Sequence, residues 1–341
     1  MSLLSKGVVA SGSVHGHYDM AVAHANSPRV SVYPWSSGFG TKYADPAVLP
    51  VGDGQGVAVA ADGSAIAVAH VSSPFVSAYP WTVSSGFGSK FTDPSPLPTG
   101  LGRRLTFDPS VSSLAVAHDT APSLSVYSWS SSGFGTKYAD AATTVGGSPR
   151  QPDFSSSGNS LIVGSSATGR PVSAYPWLPG FGTLYTNPSP NPSGIGAGGA
   201  FHPMENAAGV ATTSSPFVFV YAWSPGFGTK YADPSPAPTG GNLLRWSPSG
   251  NDIVIAGPNS PFCHAYAWSP GFGTKYANPA TAVAGTGVSA TWTPSGDDVA
   301  VAHLNSTYIS VYQWSNGFGT KYSSPVTLPA GNGFSVYFTY D

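Results

Sequence analysis

The chain alternates short apolar runs with clusters of Gly, Pro, Ser and Asp, a β-rich and turn-rich pattern. One stretch shows the unit. Val57 to Ala60 is apolar, Asp62-Gly63 makes a tight turn, and Ala65 to His70 is apolar again. An Asp-Gly between two such runs signals a β-hairpin, because both turn positions call for positive φ. Ser73-Pro74 then breaks the chain, Phe75 to Trp81 reads as a third strand, and Gly86-Phe87-Gly88 turns it into a fourth beginning at Ser89. A Pro/Gly-rich loop, Asp93 to Gly102, leads to the next copy.

The unit repeats. Trp35, Trp81, Trp129, Trp177, Trp223, Trp268 and Trp314 recur at spacings of 46, 48, 48, 46, 45 and 46, each followed by Gly-Phe-Gly. Four short strands in a period of this length are the signature of propeller blades. The expected fold is therefore all-β: a seven-bladed β-propeller of four-stranded antiparallel blades, with strands a to d running outward from the axis. Inner strands sandwiched between blades account for apolar runs without clean alternation. The chain begins out of phase, since Asp19 to His24 matches strand b, and ends on Phe334 to Tyr340, which matches strand a. The C-terminal strand, about residues 333–341, should thus complete the N-terminal blade and close the ring. Residues 1–16 are left as an arm, and residues 17–341 form one domain.

Composition sharpens this picture in two ways. Only 8% of residues are Asp, Glu, Lys or Arg, against roughly 25% in an average soluble protein, while 41% are hydrophobic. A net charge of −2 offers no pull toward nucleic acid or anionic membranes. No run reaches the length of a membrane span, and Met1 to Val14 lacks the apolar stretch of a secretory leader. Six of the seven lysines (Lys42, Lys90, Lys137, Lys230, Lys275, Lys321) fall on strand d, where lysine guards an exposed edge. The single cysteine, Cys263, replaces an apolar strand residue and reads as buried filler.

Candidate chemistry is sparse. His24, His70, His118 and His303 share the end of strand b, where Ser165, Thr212 and Gly257 stand in the other blades, so a hydrogen bond to a neighbouring loop is expected there. His15-Gly-His17 is a weak metal signal, and His202 with Glu205, the only glutamate, reads as decoration of a hairpin turn. No nucleophile elbow, phosphate loop or zinc-protease pattern occurs, so no catalytic, cofactor or metal residues are assigned. Arg103, Arg104, Arg150, Asp153 and Arg245 lie on or just before strand a and could make a partly basic channel mouth. Arg29 and Arg170 are the charged residues of the variable loops, where recognition commonly resides. The seven tryptophans read first as blade filling; the alternative makes them seven glycan platforms of a propeller lectin.

The string SPSGNDIVIA (Ser247 to Ala256), followed by a strand ending in Trp268, resembles the WD-repeat pattern without its Gly-His and Trp-Asp dipeptides. The string VSVYPWSSGFGTKYADP (Val30 to Pro46) and its copies, over residues 17–341, resemble propeller proteins of tailed marine and environmental bacteriophages. That resemblance implies a non-enzymatic structural or interaction module of a virion (tail, fibre or capsid exterior), assembled in multiple copies in the host cytoplasm. Its implied partners are other virion proteins, or a host-surface glycan or receptor, with no nucleic acid, membrane insertion or cofactor.

Overall fold

The computed structural model describes residues 18–339. The arm, with His15 and His17, lies outside them. Antiparallel blades follow one another around a ring, and their innermost strands are Gly333–Phe338 in blade 1, then Gly54–Val59, Gly102–Phe107, Pro149–Phe154, Gly196–Phe201, Leu243–Trp246 and Gly287–Trp292 in blades 2 to 7. Each innermost strand packs beside the next, and that of blade 7 beside Gly333–Phe338. Closure is as the phase of the repeat predicts: Tyr18–His24 pairs with Val30–Trp35 on one side and with the C-terminal Gly333–Phe338 on the other. The outer strand is less regular than expected. In blades 1 and 4 it shrinks to the single bridges Trp35–Phe39 and Trp177–Phe181, and in blade 2 to Gly86–Phe87.

The seams between blades show what the repeated residues do. Each tryptophan ring meets, edge to face, the aromatic ring that ends the preceding blade's strand d, as in Trp81 on Tyr43 at 4.9 Å, Trp129 on Phe91 at 5.4 Å and, across the closure, Trp35 on Tyr322 at 4.9 Å. The strand-c tyrosines reach the same neighbour's outer loop: Tyr79 Oη donates to the Val48 carbonyl at 2.8 Å, and Tyr33 to that of Thr327 at 2.9 Å. Both contacts recur at all seven seams. Packing of this kind adds about 0.5–1.5 kcal/mol per aromatic pair beyond area burial.

Glycine at the start of strand a lets the blades close up. A Cβ on Gly102 would lie 2.2 Å from the Phe75 carbonyl oxygen of the preceding blade, and one on Gly54 would lie 2.3 Å from that of Arg29. Only the blade 3–4 seam departs from this rule, with Pro149 at the position.

The strand-b histidines are fully buried. In the structure, His70 bonds the Ser72 carbonyl at 2.8 Å through Nδ1 and Ser77 Oγ at 3.0 Å through Nε2. Ser165 and Thr212 make the loop bond in their blades, to the carbonyls of Arg170 and Ser214, both at 2.9 Å. Where Gly257 removes the ring, His264 supplies one from the neighbouring strand and meets Thr239 Oγ1 at 2.9 Å. Cys263 is buried as expected. Four of the six strand-d lysines pair with the acid three residues on, Lys42 with Asp45, Lys90 with Asp93, Lys137 with Asp140 and Lys230 with Asp233, and Lys275 meets the Asn278 amide oxygen in the same way.

Candidate functional site at the propeller axis

The innermost strands have neighbouring blades on both faces and strand b along one edge, so the side chains they leave accessible border the axis. In six blades the register of strand a against strand b slips around its second residue, as between Gly54 and Gly56 or Gly102 and Arg104. Such a bulge re-aims the extra side chain, which is a recurrent device beside functional sites. The residues so placed are Phe334, Gln55, Arg103, Arg150, Ala197 and Val288, with Asn242 equivalent in blade 6. All seven are half-buried, although the residue before each is buried. Further along the strands, Asp153, Arg245, Thr291 and Tyr337 are also half-buried.

Four of the chain's six arginines meet here. Arg103 is gripped by Asp119, with Nε–Oδ1 at 2.7 Å and Nη2–Oδ2 at 2.5 Å, the two-pronged geometry that fixes a guanidinium in orientation. Burial alone would favour the neutral Asp119 acid, but the hydrogen bonds and charge of Arg103, with smaller help from Ser148 and Arg150, hold the carboxyl below its ordinary range. Arg104 is different. Burial first, then the like charges of Arg150, Arg103 and Arg245, push it down to about 9, and its Nη1 reaches only the Arg103 carbonyl, at 3.2 Å. It remains a cation at neutral pH, in a neighbourhood short of negative charge. Arg150 is lowered by burial and by Arg103, with Asp119 opposing. Arg245 touches the carbonyls of Gly199 and Leu244, each at 3.4 Å.

Asp153 is the only carboxylate on the seven innermost strands. One of its oxygens accepts the Phe201 N–H at 2.9 Å, and the other makes no hydrogen bond within the described residues. Nearby, Gln151 Nε2 donates to the Pro152 carbonyl at 2.8 Å, a spent donor that belongs to the scaffold. Four guanidiniums with only Asp119 paired against them leave the arginine group with an excess of positive charge. That suits an anionic ligand, and Asp153, on the same innermost strand as Arg150, offers a carboxylate oxygen with no hydrogen bond among the described residues.

Of the residues singled out in the sequence, Arg103, Arg150 and Arg245 lie within electrostatic reach of Arg104, while Asp153 shares its strand with Arg150 and is not among the charges acting on Arg104 or Arg150. Sequence reasoning had missed Asp119. The signal was present, because the residue after strand b is Ala25, Val71, Ser166, Thr213, Pro258 or Leu304 in the other blades and is charged only here. Arg29 and Arg170 do not join the group. They sit in the strand b–c loops of blades 1 and 4, each with a buried Nε lacking a hydrogen-bond partner among the described residues, and neither is among the charges acting on Arg104. The tryptophans are 1–8% exposed and belong to the seams, so they present no platform to a glycan. His202 and Glu205 turn out to be clasps. His202 Nε2 bonds the Gly250 carbonyl of the next blade at 3.0 Å, and Glu205 accepts from Ser156 Oγ of the previous one at 2.9 Å.

Among the described residues no group of three or more His, Cys, Asp or Glu side chains is arranged to hold a metal, and no helix is long and apolar enough to cross a membrane. Two surface depressions, of about 290 and 270 Å³, lie away from the axis. The first is formed by the Gly226-Phe227-Gly228 loop against Tyr185, the second by Arg170, Thr144 and Asn187.

No protein-family model and no curated protein matches the chain. Its fold, however, matches solved structures over nearly their full lengths. A Bacteroides uniformis protein provisionally assigned as a 6-phosphogluconolactonase superposes with a TM-score of 0.71 at 14% identity, covering 95% of this chain and 99% of that one. The periplasmic gluconolactonase of Pseudomonas aeruginosa gives 0.69 at 17% identity, with 95% and 99% covered. A Desulfotomaculum acetoxidans protein of unknown function gives 0.69 at 11% identity, with the same coverage. At these identities the correspondence establishes the propeller fold. It also corrects the expectation of a non-enzymatic virion module: nothing in these neighbours points to a phage particle, and those named for a function are lactonases. The virion location inferred with that module finds no support among these neighbours.

Proposed function

We propose that this propeller is a hydrolase that opens the ring ester of an anionic lactone at its axis. The observation that carries the reading is the concentration of Arg103, Arg104, Arg150 and Arg245 on the innermost strands, with only Asp119 paired against them, in a chain that is otherwise poor in charge. The names borne by structures of the same fold agree with this chemistry.

The residues divide the work. Asp119 holds Arg103 in place, and Arg104 and Arg150, which have no ion pair of their own among the described residues, bind the anion. Asp153 takes a proton from a water molecule as the water oxygen adds to the lactone carbonyl carbon. The tetrahedral oxyanion then collapses, the ring C–O bond breaks, and the departing alkoxide receives that proton from Asp153. One water is consumed and a hydroxy acid is formed, which ionises at neutral pH. Guanidinium donors near the developing oxyanion lower the barrier more than they would in water, because the site is partly desolvated.

The test is pH-stat titration of the acid released from six-carbon δ-lactones, with and without an anionic substituent. Anionic lactones should turn over faster than neutral ones. Arg104→Gln should lower kcat/KM for the anionic set by about 10- to 100-fold, the worth of a charged hydrogen bond. Asp153→Asn should lower kcat by about 100-fold or more. Hydrolysis of every lactone at the same rate by the wild type and Asp153→Asn would overturn the proposal.

A further inference from the structure

Among the bulged second residues of strand a, charge falls on one side of the ring only. Around the ring, the bulged second residues of strand a are Phe334, Gln55, Arg103, Arg150, Ala197, Asn242 and Val288 for blades 1 to 7. All are half-buried, so each presents part of its side chain to the axis. In a seven-membered ring, the seam between blades 3 and 4 faces blade 7. Arg103 and Arg150 therefore look across at Val288, with Phe334 beside it in blade 1. Asn242, between the two arcs, is committed to the scaffold, its Nδ2 donating to the Gly287 carbonyl at 2.8 Å.

We infer that the ligand of this site is an amphipathic anion: its charged group sits against Arg103, Arg104 and Arg150, and an alkyl or aryl portion lies against Val288 and Phe334. The inference rests on the anion site proposed above and deepens it by naming the other end of the molecule. A fully hydroxylated chain reaching the Val288–Phe334 arc would shed water from its hydroxyls and find no donor or acceptor among those two side chains, which is unfavourable. A hydrocarbon segment there gains from burial in proportion to the area covered. Sites that leave polar groups unpaired discriminate strongly against them.

A matched pair of ligands isolates this term. Hexyl phosphate and glucitol 6-phosphate carry the same phosphate on six carbons and differ in their hydroxyls. Calorimetric titration of the full chain, with hexyl phosphate kept below micelle formation, should give an affinity for hexyl phosphate about 10-fold or more above that for glucitol 6-phosphate. Phe334→Ser and Val288→Asn should each lower hexyl phosphate affinity several-fold and leave glucitol 6-phosphate unchanged, while Arg104→Gln weakens both. Circular dichroism melts establish that each variant is folded, and the two apolar-side variants check one another. Equal affinities for the pair, or a preference that survives both apolar-side substitutions, would overturn the inference and leave the anion site standing. Binding of neither ligand would remove the anion site and the inference together. A hexyl preference without hydrolysis of any lactone would support the inference and sink only the hydrolase reading.

Discussion

The closing seam can be broken at one residue, Asp298. Its carboxylate, 3% exposed, begins strand b of blade 7 and joins two blades. Oδ2 accepts the indole N–H of Trp35 in blade 1 at 2.9 Å, and Oδ1 accepts the phenol of Tyr322 in its own blade at 2.9 Å. Burial, then the hydrogen bond and charge of Asp298, push the Tyr322 phenol up to about 12. Asp298→Ala removes two hydrogen bonds to a charged group and strands two donors. At about 1–3 kcal/mol for each donor left unsatisfied, and with some return from no longer burying a charge, the loss should be about 3–5 kcal/mol. Asp298→Asn keeps one acceptor but turns an amide N–H toward the other donor, and should lose about half as much. Urea unfolding followed by tryptophan fluorescence reads these values, and a cycle with Trp35→Phe isolates the cross-blade bond as a coupling of about 1–2 kcal/mol. A loss below about 1 kcal/mol for Asp298→Ala, or strict additivity with Trp35→Phe, would refute the view that this bond holds the ring shut.

Two further predictions concern the scaffold. Burial lowers His70, His118, His264 and His303 from 6.5 to about 4. The unfolded chain therefore binds more protons between these values, so their neutral-form stability is fully present above about pH 6.5 and is lost as pH falls toward 4. Each contributes on the order of 3 kcal/mol over that window. Urea midpoints should fall steeply from pH 6.5 to 4.5, and His118→Gln should flatten the slope; a midpoint constant across the window would contradict the assignment. Gly102→Ala places a methyl 2.2 Å from the Phe75 carbonyl and should cost about 2–4 kcal/mol by forcing the blade 2–3 seam apart. A variant as stable as the parent in the same urea assay would show that the glycine is there for another reason.

Much of this architecture could be read from the chain because it is written seven times. Repetition averages out the ambiguity of any one short apolar run, so the inner strands of each blade, the blade count and even the shared first blade followed from spacing and phase alone. The tryptophans and the Gly-Phe-Gly turns were legible as construction for the same reason: a feature present in every blade must satisfy a need of every blade. The site is the reverse case. Arg103, Arg104, Arg150, Asp153 and Arg245 stood out as exceptions on strand a, but their charges and Asp119's grip depend on which neighbours face one another across the ring. Spacing fixes how many blades there are. Only closure brings blade 3 beside blade 4 and opposite blade 7, and the bulge that turns the second residue of each inner strand toward the axis arises from register against strand b. The sequence by itself therefore determined the blade and the ring. The tertiary structure decided which few side chains share the axis, because electrostatics and accessibility depend on distance in space, and residues 46 or 185 apart in the chain have none until the ring is shut.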